Sequence, residues 1–212
     1  MSSDERPIGV KVSFQTEIRS VAERREVNFL LHFTQVQNLR GIVTHGILPR
    51  RDLLKPEYSA YASDRYRLDE NDEAVSVSIS RVNERMFVSK RHKSGHSDWV
   101  ILVLSSEILW THNCQFCWRN AATSEIRDHR GWRGGPWAFA EMFAGSKEAR
   151  SGLPHNYPTD PEAEVQVLDR IAPSYILGAV VDRTEMIDPV QIAISSLPSK
   201  PLPVVVDASL NP

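Results

Sequence analysis

The sequence predicts an α+β fold built on a mixed, mainly antiparallel sheet. Apolar runs of strand length outnumber those with helical periodicity. Val75–Ser80 and Glu164–Leu168 alternate, whereas Trp99–Leu104 and Ser174–Val181 are continuously apolar or nearly so. The connections are irregular and rich in charge, Gly and Pro, which suits antiparallel or mixed pairing better than regular parallel βαβ crossovers. No G-x-G-x-x-G fingerprint, P-loop or G-x-S-x-G elbow is present, which weakens Rossmann, NTPase and α/β-hydrolase readings. A chain of 212 residues suits a single domain spanning 1–212, with 1–25 as an N-terminal extension and 198–212 as a tail.

Taken in order, Val10-Lys11-Val12-Ser13-Phe14 alternates and reads as an edge strand, and Ile18–Arg25 as a charged, helix-compatible segment. Leu30 and Leu31 read as a buried strand end, with His32 and Thr34 at alternate positions beyond it. Thr34 is placed to N-cap a helix beginning near Gln35, whose buried stripe is Val36, Leu39, Ile42 and Val43. Gly46 suits the C′ position, and His45 the carbonyl end of the helix dipole. Such a strand, polar mouth and helix can hold a nucleotide or phosphate, although Thr34 as a plain cap and His32 as a core edge explain the same residues.

A charged connection follows to about Ala74, with Tyr58, Tyr61 and Tyr66 interspersed with Arg65 and Arg67. Its length marks it as a functional loop or a disordered one. The strand Val75–Ser80 ends at Arg81-Val82-Asn83; a short helix over Glu84–Ser89 and a solvated basic loop, Lys90–Lys93, come next. Trp99–Leu104 is the central strand, with Ser105 or Ser106 capping the turn after it. Residues 110–135 read as a second irregular region. Pro136 starts a helix whose apolar side is Trp137, Phe139, Ala140, Met142 and Phe143. A third loop spans 145–161, Ser174–Val181 is the last apolar run, and Pro198–Val206 is a proline-edged tail.

Lys plus Arg number 25 against 27 Asp plus Glu, a net charge of −2, so nucleic-acid binding would rely on local patches. Two such patches stand out: Lys90 and Arg91 in one basic run, and Arg130, Trp132 and Arg133 in another. Each can track a phosphate backbone and Trp132 can stack a base, but each also reads as a solvated loop. Cys114 and Cys117 are too few for a disulfide framework and suit a reducing, cytoplasmic setting. With His112 and His129 they fall short of a zinc site, so no metal is expected and two buried thiols are. No apolar run reaches the ~18 residues of a membrane span. Glu162 and Glu164, two apart at a strand start, can point into one cleft and stabilise an oxocarbenium-like sugar. An acidic strand end facing solvent is the alternative.

Three stretches together, LLHFTQVQNLRGIVTHGIL, SVSISRVNERM and AEVQVLDRIAPSYI, resemble those of the DarT-type DNA ADP-ribosyltransferase toxins. The resemblance implies the ADP-ribosyltransferase fold, a mainly antiparallel split sheet with flanking helices and long functional loops. It implies that His32 and Thr34 hold NAD, with Gly41 near the nicotinamide ribose or diphosphate. Arg81 becomes the active-site arginine and Glu164 the catalytic glutamate. The implied activity is transfer of ADP-ribose from NAD to a base in single-stranded DNA, releasing nicotinamide. A toxin or phage-defence role and a macrodomain antitoxin that reverses the modification are implied with it. Ser78-Ile79-Ser80 replaces the aromatic and proline residues expected before the arginine of the thymine-modifying branch, which favours guanine. RNA or protein as acceptor, and a non-catalytic nucleic-acid-binding module, are the competing readings.

Overall fold

Residues 8–53, 55, 73–95, 98–129, 131–198 and 203–210 are described by a computed structural model. Helix α1 (Ile8–Arg24) replaces the edge strand expected at Val10–Phe14. That five-residue alternation belongs to a longer stretch in which Phe14, Ile18, Val21 and Ala22 recur at helical spacing, and the longer period prevails. Ile18 and Ala22 are buried, and α1 packs on helices α5 (Ile108–Thr111) and α7 (Pro136–Glu141).

Strand β1 (Phe29–Gln35) leads through a 3-10 turn at Val36–Asn38 into α2 (Leu39–His45); α3 (Arg50–Leu53) follows. The sheet gains β2 (Val75–Ile79), β3 (Trp99–Ser105), β4 (Cys114–Cys117), β5 (Glu164–Val167), β6 (Ile176–Val181) and β7 (Val205–Val206). Its seven strands run in the order β4-β5-β2-β1-β3-β6-β7. Only β6 and β7 pair in parallel, so the fold is α+β on a mainly antiparallel sheet, as the strand pattern requires. Leu30, Leu102, Leu104, Val165, Val167 and Ile176 sit fully buried in its core.

Several expectations need correction. The basic run Lys90–Lys93 is not a loop but the last turns of α4 (Glu84–Ser94), where cations suit the helix's carbonyl end and Gly95, at φ 66°, closes it. The irregular region at 110–135 contains β4 and the short helix α6 (Ser124–Arg127). Pro136 does begin α7, but Ala138 rather than Ala140 faces inward, and Trp137 is exposed. Helix α8 (Ile187–Ile194), which the sequence reading does not include, packs on α2 and β6, and the tail supplies β7. The tyrosine-bearing connection lies mostly outside the described residues. Among the described residues, no helix is long and apolar enough to cross a membrane.

The sheet's most consequential feature is a split. β1 pairs with β3 along its whole length, from Phe29↔Ser105 to Gln35↔Trp99. Its pairing with β2 is confined to Leu30↔Ile79 and Leu31↔Ser78, so the two strands part from His32 onward.

Candidate active site

A cleft of about 200 Å³ opens where β1 and β2 part. That is smaller than the roughly 300–1,000 Å³ of sites that bury a drug-sized ligand, and suits one end of a larger molecule. His32 and Thr34 of β1, Ser76 and Ser78 of β2, Gly41 of α2 and Glu164 of β5 all line it. The structure therefore brings together four of the five residues expected to hold NAD or act on it: His32, Thr34, Gly41 and Glu164.

His32 spans the split. Its Nδ1 lies 3.0 Å from the Ser76 carbonyl oxygen, which can only accept, so Nδ1 carries a proton and donates. Thr34 does not cap a helix: β1 continues through Gln35, and the Thr34 hydroxyl accepts from the Asn38 side-chain amide at 2.9 Å. The strand outlasts the expected helix start because every residue to Gln35 has a ladder partner on β3. Gly46 ends α2 at φ 81°, and a side chain there would strike the Ile171 carbonyl. Reciprocal backbone hydrogen bonds of 2.9 Å between Ile47 and Ile171 pin this wall of the cleft to the chain beyond β5.

Glu164 opens β5 opposite Cys117 of β4 and is 3% exposed. Its Oε1 accepts a hydrogen bond from the Ala121 N–H at 3.0 Å. Glu162 does not join it in the cleft. It lies before the strand and accepts from Arg85 at 2.7 Å and from the Asn120 amide at 3.1 Å. The Arg85 hydrogen bond holds the Glu162 carboxyl below its ordinary range.

Arg81 is not among the cleft-lining residues. It follows Ser80, whose φ of 58° is left-handed, in a tight turn closed by an Arg81 N–H to Ile79 carbonyl bond of 2.7 Å. Its Nη2 donates to the Pro158 carbonyl at 3.1 Å, and its guanidinium lies 5.3 Å from the Tyr157 ring centroid. Nε of Arg81, Oγ of Ser80 and Nδ2 of Asn83 are buried without a hydrogen-bond partner among the described residues, a concentration of unsatisfied polar atoms beside the cleft.

The suspected nucleic-acid contacts separate. Lys90 lines the cleft with Asn83 and Met86, one stripe of α4. Arg91 is an internal strut instead: it donates to Asp182 at 3.0 Å and to the Leu210 carbonyl at 2.7 Å. Arg133 donates to Cys117 Sγ at 2.8 Å and to Gln115 at 2.9 Å. Trp132 is 58% exposed and packs on Phe14, and Arg130 lies outside the described residues. Cys114 and Cys117 are free and buried, as expected, and burial pushes the Cys117 thiol up to about 12.

Sequence reasoning missed Asn83 and Asn120. Asn83 accepts from the Met86 N–H at 3.0 Å as N-cap of α4, and an Asn before a helix start was the available signal. Asn120 had none, since its partners are distant in sequence or lie in its own turn.

A family model described as "ssDNA thymidine ADP-ribosyltransferase, DarT" matches residues 31–210. The chain belongs to the DarT family. Thermus sp. 2.9 DarT in complex with ADP-ribosylated ssDNA superposes with a TM-score of 0.58 at 16% identity, covering 87% of this chain and 96% of that one. The same DarT in complex with NAD+ gives 0.55 at 15% identity, covering 87% and 98%. Thermosipho africanus DarTG in complex with ADP-ribose gives 0.54 at 16% identity over 86% of this chain, which spans only 50% of the DarTG chain. At these identities the likeness is one of fold, and it bears out the DarT-like architecture expected from the three sequence stretches. No curated protein matches the chain.

Proposed function

We propose that the chain transfers ADP-ribose from NAD to a base of single-stranded DNA, releasing nicotinamide. The observation that carries this reading is the placement of Glu164 in the same cleft as His32, Thr34 and Gly41, on a chain whose family is described by that activity. His32, Thr34 and Gly41 bind the dinucleotide. As the ribose–nicotinamide C–N bond breaks, nicotinamide leaves with the electron pair and positive charge grows on the ribose. The Glu164 carboxylate stabilises that charge. A base nitrogen then bonds to the anomeric carbon and gives up its proton to solvent water. A guanidinium is a poor proton acceptor, so Arg81 polarises the incoming base or holds phosphate. Lys90, Trp132 and Arg130 are candidate DNA contacts, whereas Arg91 and Arg133 are committed to internal bonds.

The toxin role, with an antitoxin that removes the modification, extends the same reading and is supported by the likeness to a DarTG chain. On the base there are two supported readings. Ser78-Ile79-Ser80 ahead of Arg81 favours guanine, and the family's description names thymidine. Incubation with NAD and oligonucleotides of each single base, followed by mass spectrometry, tests activity and base together. One ADP-ribose on oligo-dG supports guanine and one on oligo-dT supports thymidine. Labelling only of RNA or protein, or no NAD consumption, overturns the proposal.

A further inference from the structure

The carboxylate of Glu164 is held by a backbone N–H, and that N–H belongs to a turn fastened from outside the cleft. Ala121 donates to Glu164 at 3.0 Å from a turn whose first side chain, Asn120, faces two ways. The Asn120 Oδ1 accepts the Ala122 N–H at 2.9 Å, closing the turn on itself. Its Nδ2 donates to Glu162 at 3.1 Å, tying the turn to the chain two residues before Glu164. The same Glu162 carboxylate accepts from Arg85 at 2.7 Å, and Arg85 sits on α4, between the cleft-lining Asn83 and Lys90. A continuous path of hydrogen bonds and short chain segments thus joins a cleft-lining helix to the group that grips Glu164.

We infer that Asn120 is a positioning residue for Glu164. Bridged by Glu162 to α4, it fixes the Ala121 N–H against the carboxylate and so sets where that carboxylate stands relative to the cleft. A reacting group displaced by about 1 Å can cost up to about a hundredfold in rate, so a tether outside the cleft suffices to govern turnover. As a statement about catalysis this rests on the transferase reading; as a statement about the Ala121 clamp it does not.

The test exchanges donor and acceptor. N120D keeps the oxygen that accepts the Ala122 N–H but sets a carboxylate against Glu162 in place of the donor. E162Q keeps an acceptor for Arg85 but can turn its amide donor towards Asn120 Nδ2, donor against donor. The double variant N120D/E162Q places the acceptor on position 120 and the donor on 162, restoring the contact with reversed polarity. With NAD and the oligonucleotide the wild type labels, N120D is expected to lose about tenfold to a hundredfold in kcat, with KM for NAD within about twofold. The double variant should recover most of the loss. Losses that simply add in the double variant, a loss confined to KM, or no loss overturn the inference. Melting temperatures identify any variant that fails to fold, and hydrogen exchange of the Ala121 amide reads the clamp without turnover. Protection lost in N120D and regained in the double variant upholds the clamp even if the wild type transfers nothing, in which case the transferase reading alone fails. Protection unchanged in folded N120D overturns it.

Discussion

Replacing Glu164 by Gln is the most direct probe of the site. The amide keeps the shape of the carboxylate and an oxygen for the Ala121 N–H, and removes only the charge. The size of the effect depends on how dry the site is. Two unit charges about 4 Å apart attract by about 1 kcal/mol in bulk water and about 4 kcal/mol at the effective dielectric of roughly 20 that suits protein sites. Glu164 is 3% exposed, so the larger figure applies, and about 4 kcal/mol corresponds to roughly a thousandfold in rate. A water-filled site would give only about fivefold. Nicotinamide release and oligonucleotide labelling, each measured as kcat and KM, are the assays. Stability should hold or rise, because a charge leaves a buried position. A folded E164Q within about tenfold of wild type would refute the idea that this carboxylate stabilises the ribose cation in a dry cleft.

Three further outcomes are expected. Arg91→Met should cost about 2–3 kcal/mol in urea denaturation, below the full penalty of orphaning a buried charge because Arg183 still holds Asp182 at 3.1 Å. In folded protein the same change should leave oligonucleotide affinity unaltered, which a DNA-contacting arginine would not. Gly46→Ala should cost about 3 kcal/mol or more by the same measurement, since the new methyl meets the Ile171 carbonyl at a positive φ. Acid stability should carry a contribution from Glu162, whose folded-state carboxyl is held low by Arg85. Its stabilisation is present above the ordinary carboxylate value of about 4.3 and is lost as pH falls through the lower folded value. Arg85 is 84% exposed, which limits the contribution to about 1 kcal/mol. Urea midpoints between about pH 3 and 6 should therefore fall less steeply in E162Q than in wild type, and parallel curves would show that the pair contributes nothing.

How much was legible depended on whether the deciding partner was local. β2, β3, β5 and β6 carry patterns set by their own faces in the sheet, and their runs read directly. The four-residue β4, CQFC, sits in a polar stretch and is a strand only because β5 pairs with it. Val10–Phe14 alternates too briefly to outweigh the helical spacing around it, and α8 hides Pro189 in its first turn, where proline is tolerated. In the cleft, His32, Thr34 and Glu164 were legible because polar residues interrupt or end otherwise apolar strands. The place of Arg91 is not legible in sequence because its partner Asp182 lies 91 positions away, and a basic run shows its charge but not its destination.

The split between β1 and β2 explains how polar groups come to line a cleft whose walls are otherwise largely apolar. Strand edges that pair supply each other's backbone hydrogen bonds, and β1 and β2 do so only at Leu30 and Leu31. Beyond that point the facing edges lack one another as ladder partners, and the His32 ring donating to the Ser76 carbonyl replaces one missing rung. The polar side chains His32, Thr34, Ser76, Ser78 and Glu164 stand among apolar walls, a lining that suits a ligand with both polar and apolar parts. β2 meanwhile keeps its full antiparallel partner on the other side, β5, with Val77 opposite Val165. One strand therefore parts from β1 at the cleft while fixing, through its other edge, the strand that begins with Glu164. Parting β1 from β2 creates the place for a nucleotide, and keeping β2 on β5 brings a carboxylate to it. Deleting the His32 ring should then weaken NAD binding without moving Glu164, so His32→Ala is expected to raise KM for NAD about tenfold with kcat little changed. A loss of kcat alone would place His32 in the chemistry instead.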